Sequence, residues 1–224
     1  MKSSSLSLIA IVIGLLPITT ASHAADGKDI AANGTANGAP ACSSCHGEQG
    51  EGQPAAGFPR LAGLNATYIE HQLANFQDNS RKNDTMQPVA AALSDDERKA
   101  VATYYAGLNA PKAAEDSAPD PSLVKAGAAI ASVGDWSKGL PACGQCHGTN
   151  GLGVGASFPG IAGQSSAYIE NELTAWKSGE RKNDPMGLMA NVAKKLDDNQ
   201  IKAVAAYYAS LPVTSSTTAS SNKP

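Results

Sequence analysis

This 224-residue chain has few large aromatic side chains and only a small net charge. Phe, Tyr and Trp make up 5% of it, with three Phe and two Trp. This composition supplies too little bulky apolar surface for two ordinary cores, unless another group fills part of them. The formal net charge is -3, so the chain lacks the strong positive charge of nucleic-acid-binding proteins. We therefore expect no nucleic-acid partner.

The first 24 residues have the pattern of a secretory signal peptide. Lys2 is followed by an apolar run from Leu6 to Ile18 and then by Ser22-His23-Ala24, and we predict cleavage after Ala24. The apolar run contains Pro17 and is about 13 residues long, short of the roughly 18 that spanning a membrane requires. No later segment is hydrophobic enough to span one. The sequence therefore predicts a soluble, exported protein, for which any association with membranes is through partners only.

The rest of the chain contains an internal duplication. Two Cys-x-x-Cys-His motifs, at 42–46 and 143–147, lie 101 residues apart, and the flanking sequence repeats with them. The other repeated segments are 57–63 and 157–163, 68–70 and 168–170, 81–84 and 181–184, and 101–105 and 204–208. This repetition indicates two tandem copies of one module.

Composition sets the boundaries of the two modules. Residues 110–122 are rich in Pro, Ala and acidic side chains and have no apolar period, which predicts an extended linker. Residues 213–224 are rich in Ser and Thr, which predicts a disordered tail. The domains are therefore predicted at 25–109 and 123–212. Because modules of this size have small cores, a covalently bound apolar cofactor would stabilise them considerably.

Apolar periodicity predicts an all-α fold. Before the last helix of each module, Ser94 with Glu97 and Asp197 with Gln200 have capping-box spacing. A middle helix in each module carries apolar residues at i, i+4 and i+7. The apolar positions are Val101, Tyr104, Tyr105, Leu108, Val204, Tyr207, Tyr208 and Leu211 in the last helices, and Ile69, Leu73, Phe76, Ile169, Leu173 and Trp176 in the middle helices. No convincing alternation predicts a strand, and the Gly-rich segments after each motif are predicted loops.

The four cysteines carry the main chemical signal. They lie in Cys42-Ser43-Ser44-Cys45-His46 and Cys143-Gly144-Gln145-Cys146-His147. In this spacing two thiols can form thioethers with the haem vinyl groups while the histidine reaches the iron from one face. A redox disulfide does not need the histidine, and a zinc site usually has its two cysteine pairs closer in sequence. We therefore predict two covalently attached haem c groups.

Methionine is the residue type predicted to complete each iron site. The first module has one methionine, Met86, and a thioether is a natural iron ligand, although methionine is also a common core filler. The remaining histidine of this module, His71, falls about 200° around its helix from the apolar face and is expected at the surface. Both modules have methionine in a segment predicted as a loop before the last helix. This shared position favours Met86 as an axial ligand.

The second module offers two methionines, Met186 and Met189. Counting from the Arg-Lys-Asn-Asp segment aligns Met86 with Met186, whereas counting back from the last helix aligns it with Met189. Met86 and Met189 both lie seven residues before the leucine that precedes the helix cap. Because the helix fixes the reach of the ligand, Met189 is favoured and Met186 is the alternative.

Together these features resemble the dihaem cytochrome c4 family, in which two class I cytochrome c domains, each wrapped around one haem, form a periplasmic protein. The resemblance covers essentially the whole mature chain, including both Cys-x-x-Cys-His-Gly motifs and both Phe-Pro-x-(Leu/Ile)-Ala-Gly segments. It implies that a Pro carbonyl accepts the ring N–H of each iron-binding histidine. The implied site residues are Cys42, Cys45, His46, Met86 and Pro59 in the first domain, and Cys143, Cys146, His147, Met189 and Pro159 in the second.

The resemblance implies electron transfer rather than catalysis on a substrate. Expected partners are redox proteins, with a donor such as a quinol-oxidising complex and an acceptor such as a terminal oxidase. Two alternatives stay open: a haem subunit of a dehydrogenase or flavocytochrome, and a dihaem peroxidase, which needs an open iron position. Residues 25–112 carry 7 basic and 10 acidic side chains, and residues 123–212 carry 8 and 7. This difference is consistent with two halves that face different partners, and equally with two solvated surfaces that differ in charge without a function.

Overall fold

The computed structural model describes residues 25–109, 111 and 119–213. The predicted signal peptide, most of the predicted linker and the tail after residue 213 lie outside these residues. Within them the fold is all-α, which confirms the prediction from apolar periodicity. Backbone pairing of the strand type is confined there to isolated bridges, such as Gln53 with Phe58.

Each module has five α-helices in the same order among its described residues. The first module contains α1 Gly27–Asn33, α2 Ser43–His46, α3 Ala66–Gln77, α4 Met86–Ala91 and α5 Asp95–Ala106. The second contains α6 Pro121–Val133, α7 Gly144–His147, α8 Ser166–Ser178, α9 Leu188–Lys195 and α10 Asp198–Ser210. Short 3-10 turns occur at Pro54–Ala56 and Thr149–Gly151, inside segments predicted as loops, and at Trp136–Lys138, a segment without a prediction. The matching order confirms the internal duplication.

The predicted capping boxes begin α5 and α10. The Ser94 hydroxyl accepts from the Glu97 amide while the Glu97 carboxylate accepts from the Ser94 amide, at 3.3 and 2.7 Å. Asp197 and Gln200 make the same reciprocal pair at 2.9 and 3.1 Å. Each box satisfies amides that the helix itself leaves unpaired. The sequence therefore places the start of both last helices correctly.

The first helix of each module, α1 or α6, has no counterpart among the sequence predictions. It crosses α5 in the first module and α10 in the second. At the crossings a Cβ on Gly27 would collide with the backbone of Ala100, and a Cβ on Gly127 with that of Ala203. Glycine therefore permits backbone-to-backbone contact at both crossings.

The start of α6 corrects the predicted linker boundary. The linker was expected to run to residue 122, but α6 begins at Pro121. The Asp120 carboxylate accepts from the Ser122 amide at 2.7 Å and caps the helix. Proline at the first helical position has no amide that needs a partner and already has a helical φ. Local capping therefore draws two residues of the Pro-rich segment into the helix.

Each module has its own apolar core. Ile69, Leu73 and Phe76 from α3 meet Val101 and Tyr105 from α5 in the first module. The equivalent residues of α8 and α10 form the second core, with Trp176 in place of Phe76. Tyr105 and Tyr208 are each 1% exposed, so the predicted apolar faces point inward. Among the helices of residues 25–109 and 119–213, none combines the length and the hydropathy that crossing a bilayer requires.

Polar and charged side chains join the two modules. Glu172 on α8 accepts from Arg81 of the first module at 2.7 Å and from Arg181 of its own module at 2.5 Å. Gln72 on α3 accepts from the same two arginines at 3.1 Å each. The arginine guanidinium groups lie 4.6 Å from the ring centroids of Phe76 and Trp176, respectively.

The charged groups in this cluster shift one another's pKa values so that the charged forms are favoured. Although burial alone would raise the pKa of Glu172, the neighbouring arginines hold it below its ordinary value. Burial alone would lower the pKa of Arg81, but Tyr168 and Glu172 raise it above its ordinary value. The Glu172 carboxylate and the Arg81 guanidinium are therefore charged across the neutral pH range. The cluster links the repeated Arg-Lys-Asn-Asp segments of the two modules through one carboxylate.

Candidate haem sites

Two short helices place the cysteines and histidines of the sequence motifs. Cys42 is the N-cap of α2 and His46 its last residue, and the His46 amide donates to the Cys42 carbonyl at 2.9 Å. Cys143 and His147 stand in the same relation in α7, also at 2.9 Å. One helical turn therefore brings both thiols of a motif and its histidine to one place. All four thiols are free of disulfides.

Each motif histidine is oriented by a proline carbonyl. His46 Nδ1 lies 2.8 Å from the Pro59 carbonyl oxygen, and His147 Nδ1 lies 2.8 Å from that of Pro159. A carbonyl only accepts, so Nδ1 carries the proton and Nε2 keeps its lone pair. Such a bond fixes the ring orientation and raises the basicity of a ligating histidine. The geometry is the one that the resemblance implied for Pro59 and Pro159.

Burial keeps the two imidazoles neutral. It lowers the pKa of His46 and of His147, and the hydrogen bonds to the proline carbonyls oppose that effect only in part. A neutral imidazole with a free lone pair on Nε2 is the form that binds a metal. Both histidines are therefore in the form that would bind iron if a haem were attached.

Glycines let the chain bring each proline to its histidine. The Gly52 amide donates to the His46 carbonyl at 2.7 Å, and the Gly153 amide donates to the His147 carbonyl at 2.7 Å. Both glycines have left-handed backbones, with φ of +87° and +90°. A Cβ on Gly52 would meet the backbone of Pro59 within 3 Å, at 2.8 Å from its carbonyl carbon. The backbone of this loop passes so close to itself at Gly52 that only glycine fits there.

A buried tyrosine lies beside the first cysteine of each motif. The Tyr105 side chain interacts with the Cys42 thiol, and Tyr208 with the Cys143 thiol. Burial raises the pKa of all four groups. The sequence placed both tyrosines on an apolar helix face and assigned them no part in the site. Their recurrence at one position of both repeats was the available signal.

The methionines differ clearly in their surroundings. Met86 and Met189 are partly buried and pack against the cores of the first and second module. Met186 is 78% exposed. The observed packing therefore favours Met189 over Met186 as the counterpart of Met86, in agreement with the helix-based register.

The prediction that these methionines lie in loops is wrong. Met86 is the first residue of α4, and Met189 is the second residue of α9. The Asn83 side-chain oxygen accepts from the Met86 amide at 2.9 Å, and the Asp184 carboxylate accepts from the Met189 amide at 2.6 Å. Side-chain acceptors at these positions start a helix in a segment whose composition is typical of a turn.

The residues present fit a covalently attached haem in each module. Each site offers two free thiols one helical turn apart and a histidine with its Nε2 lone pair available. Each module also has a methionine that packs against its own core. The buried hydroxyl of Tyr105 lies beside the thiol of Cys42, one of the two cysteines that would attach the first haem. Within the described ranges, no cluster of three or more His, Cys, Asp or Glu side chains suits a bare metal ion. His71, which was not predicted as a ligand, is exposed.

Sequence reasoning missed several residues between the two modules. Arg60 and Gln164 bond across the module boundary, and Glu172 bridges two arginines there. The two repeats differ at these positions, since Arg60 corresponds to Gly160, Gln164 to Leu64 and Glu172 to Gln72. A search for polar differences between otherwise matching repeats would have pointed to them.

Comparison with known proteins agrees with this geometry. The family model for cytochrome c matches residues 24–109 and 124–212. The thiosulfate dehydrogenase electron acceptor of Stutzerimonas stutzeri strain A1501 is 44% identical over 200 residues, which are 89% of this chain and 92% of that protein. A match of this extent covers both modules rather than one.

Two solved structures are similar over both modules. A thiosulfate dehydrogenase from Marichromatium purpuratum has a TM-score of 0.79 and 41% identity over 84% of this chain, which spans only 40% of that longer chain. Reduced cytochrome c4 from Pseudomonas stutzeri has a TM-score of 0.70 and 34% identity, over 76% of this chain and 93% of that one. The chain is therefore a member of the cytochrome c family, a dihaem cytochrome of the c4 type that carries two covalently bound haem c groups and transfers electrons with redox protein partners.

Proposed function

We propose that this chain is a periplasmic carrier that accepts single electrons from a thiosulfate dehydrogenase and passes them to a respiratory acceptor such as a terminal oxidase. The observation that carries the proposal is the 44% identity, over 92% of its length, to a relative named as a thiosulfate dehydrogenase electron acceptor. The cytochrome c4 structure is less similar, at 34% identity. In this function the chain is the electron-accepting partner of a dehydrogenase, and the dehydrogenase carries the enzymatic activity.

A second finding supports a thiosulfate dehydrogenase as the partner. The similar chain from Marichromatium purpuratum is itself described as a thiosulfate dehydrogenase, and this protein matches 40% of it. A dihaem unit of this kind therefore occurs there within the same polypeptide as further sequence. We infer that the present chain accepts electrons from a donor of the same kind.

The proposed ligand sets follow from the two matching sites. Cys42, Cys45, His46 and Met86 hold the first haem, and Cys143, Cys146, His147 and Met189 hold the second. When bound, each haem supplies one iron that takes up and releases a single electron. The role of the chain is to hold histidine and methionine in place, so that no substrate binds at iron. This ligation argues against the peroxidase alternative, which needs an open iron position.

The second module has the surface better suited to a transient partner. Among the described residues, the exposed large apolar side chains all belong to this module: Val133, Trp136, Leu152, Val154, Met186 and Leu188. Residues 123–212 also carry one more basic than acidic side chain, whereas residues 25–112 carry three more acidic ones. Redox partners use small interfaces with an apolar centre and charged surroundings. We therefore place donor docking on the second module.

Stopped-flow reduction tests the proposed donor. The oxidised dihaem protein is mixed with thiosulfate and a purified thiosulfate dehydrogenase, and the absorbance of the reduced haems is followed. We expect both haems to be reduced, at a rate proportional to the dehydrogenase concentration. If a quinol-oxidising complex reduces the protein rapidly and the dehydrogenase does not, the proposed donor is wrong and the protein is a carrier for that complex.

A surface variant tests the proposed docking side. Trp136 is 68% exposed, and Trp136→Ser should slow reduction by the dehydrogenase at least several-fold without changing the fold. Reduction by dithionite, which needs no protein docking, is the control and should keep its rate. An unchanged rate with the dehydrogenase would show that donor docking does not involve this side chain.

A further inference from the structure

Arg60 occupies an unusual position between the two modules. It is 2% exposed, although its side chain is long and charged. One terminal nitrogen donates to the Ala62 carbonyl of its own module, and the other donates to the Ala162 carbonyl of the second module at 2.9 Å. Its backbone makes two bonds with the Gln164 side chain, at 3.0 and 2.7 Å. Arg60 is thus fixed from both sides.

The Arg60 guanidinium has no anionic partner among the described residues. The ion pairs there include carboxylate partners for the other arginines, namely Arg81, Arg98 and Arg181, and none for Arg60. Its Nε is buried and makes no hydrogen bond. Burial lowers the pKa of Arg60 to about 10, so it still carries its charge at neutral pH. A buried charge without a partner is strongly unfavourable, and a buried donor without an acceptor adds to that cost.

The position of Arg60 indicates which kind of anion its side chain binds. Arg60 directly follows Pro59, whose carbonyl oxygen lies 2.8 Å from His46 Nδ1. It is therefore anchored one residue from the group that orients the first iron ligand. A haem c carries two propionate carboxylates, and arginine is the side chain best suited to bind a carboxylate. We propose that Arg60 is a propionate-binding residue, with Nε donating to a carboxylate of the first haem. We further propose that the charge of Arg60 raises the reduction potential of this haem.

The proposed charge effect has a definite sign. Oxidation adds one positive charge at iron, and a nearby fixed cation disfavours that state. The second module has no equivalent, because the position that matches Arg60 in the repeat is Gly160. Arg60 is therefore a built-in difference between two otherwise similar sites. The inference concerns the cofactor site and does not depend on which protein is the donor.

Potentiometric titration of the dihaem protein tests the proposal. In Arg60→Gln the potential of one haem should fall so that its reduced-to-oxidised ratio at a fixed potential drops about tenfold, which corresponds to 59 mV for a one-electron couple. The other haem should move much less. Arg60→Lys keeps the charge and should restore most of the potential. The resonance Raman band of the propionate groups should shift in Arg60→Gln, as expected when a hydrogen bond to the carboxylate is lost.

Two control variants separate this role from a purely structural one. Gln164→Ala removes both side-chain bonds to the Arg60 backbone but keeps the guanidinium, and should change the potentials little. Arg98→Gln removes a buried arginine that already has a carboxylate partner, Asp95, and should also change them little. If Gln164→Ala lowers a potential as much as Arg60→Gln, or if Arg60→Gln leaves both potentials and the propionate band unchanged, the proposal is wrong.

Discussion

Replacing Glu172 by Gln should weaken the connection between the modules and change its response to pH. The Glu172 carboxylate pairs with Arg81 at 2.7 Å and with Arg181 at 2.5 Å, and the arginine side chains are only 8% and 10% exposed. Glutamine keeps the shape and one accepting oxygen but loses the charge. Two nearly buried guanidinium groups then remain without a carboxylate.

The size of the effect follows from the burial of the cluster. Removing one partner of a fully buried ion pair costs about 3–5 kcal/mol. The Glu172 side chain is 23% exposed, so water screens part of the interaction. The remaining amide oxygen of glutamine also replaces part of one hydrogen bond. We therefore expect Glu172→Gln to lower the free energy of unfolding by about 2 kcal/mol at neutral pH.

The pH dependence has a sign that the structure determines. The pKa of Glu172 is lower in the folded protein than its ordinary value of 4.5. Its contribution is therefore fully present above about pH 4.5 and is lost as the pH falls through the lower, folded pKa. In the wild type this loss should appear as reduced stability below that pH. Glu172→Gln should lack this part of the acid response.

Guanidinium unfolding of the dihaem protein, followed by far-UV circular dichroism at several pH values, measures both effects. Glu170→Gln is the matched control, because it makes the same charge change two residues away on the same helix. The salt bridges of the described residues include Glu172 and not Glu170. Equal stability losses in the two variants, or the same acid response in Glu172→Gln as in the wild type, would refute the role given to this cluster.

Three further predictions concern the iron ligands and the helices. Met189→Ala should open the second iron to carbon monoxide and lower its reduction potential, whereas Met186→Ala should leave both unchanged; a reversal of this pattern in the visible spectra would make Met186 the ligand. Gly127→Ala should destabilise the crossing of α6 with α10 by about 1–3 kcal/mol in thermal unfolding, and a neutral result would show that the helices separate easily. Ser94→Ala should cost about 1 kcal/mol through loss of the α5 cap, and an unchanged unfolding curve would show that the cap is dispensable.

The part of the site that a single motif encodes was predictable. In Cys-x-x-Cys-His the attachment residues and the iron ligand lie within one helical turn, so local spacing alone defines them. The helices α5 and α10 were also predictable, because a capping box and an apolar face coincide in each. The helices α4 and α9 were not, since their turn-like composition hides the side-chain acceptors Asn83 and Asp184 that start them.

By itself, the sequence determined that the chain is duplicated, helical and built to attach two haems, because repeats, periodicity and motif spacing are properties of neighbouring residues. Only the tertiary structure decided how the modules are joined and which charges lie between them. Arg60 and Gln164 are 104 positions apart, and Arg81 and Glu172 are 91 apart. No local pattern connects such residues, since their contact exists only after both modules have folded and packed together. The same packing left Met186 exposed and Met189 against the core. The sequence had favoured Met189 through the register of the last helix and had kept Met186 as the alternative.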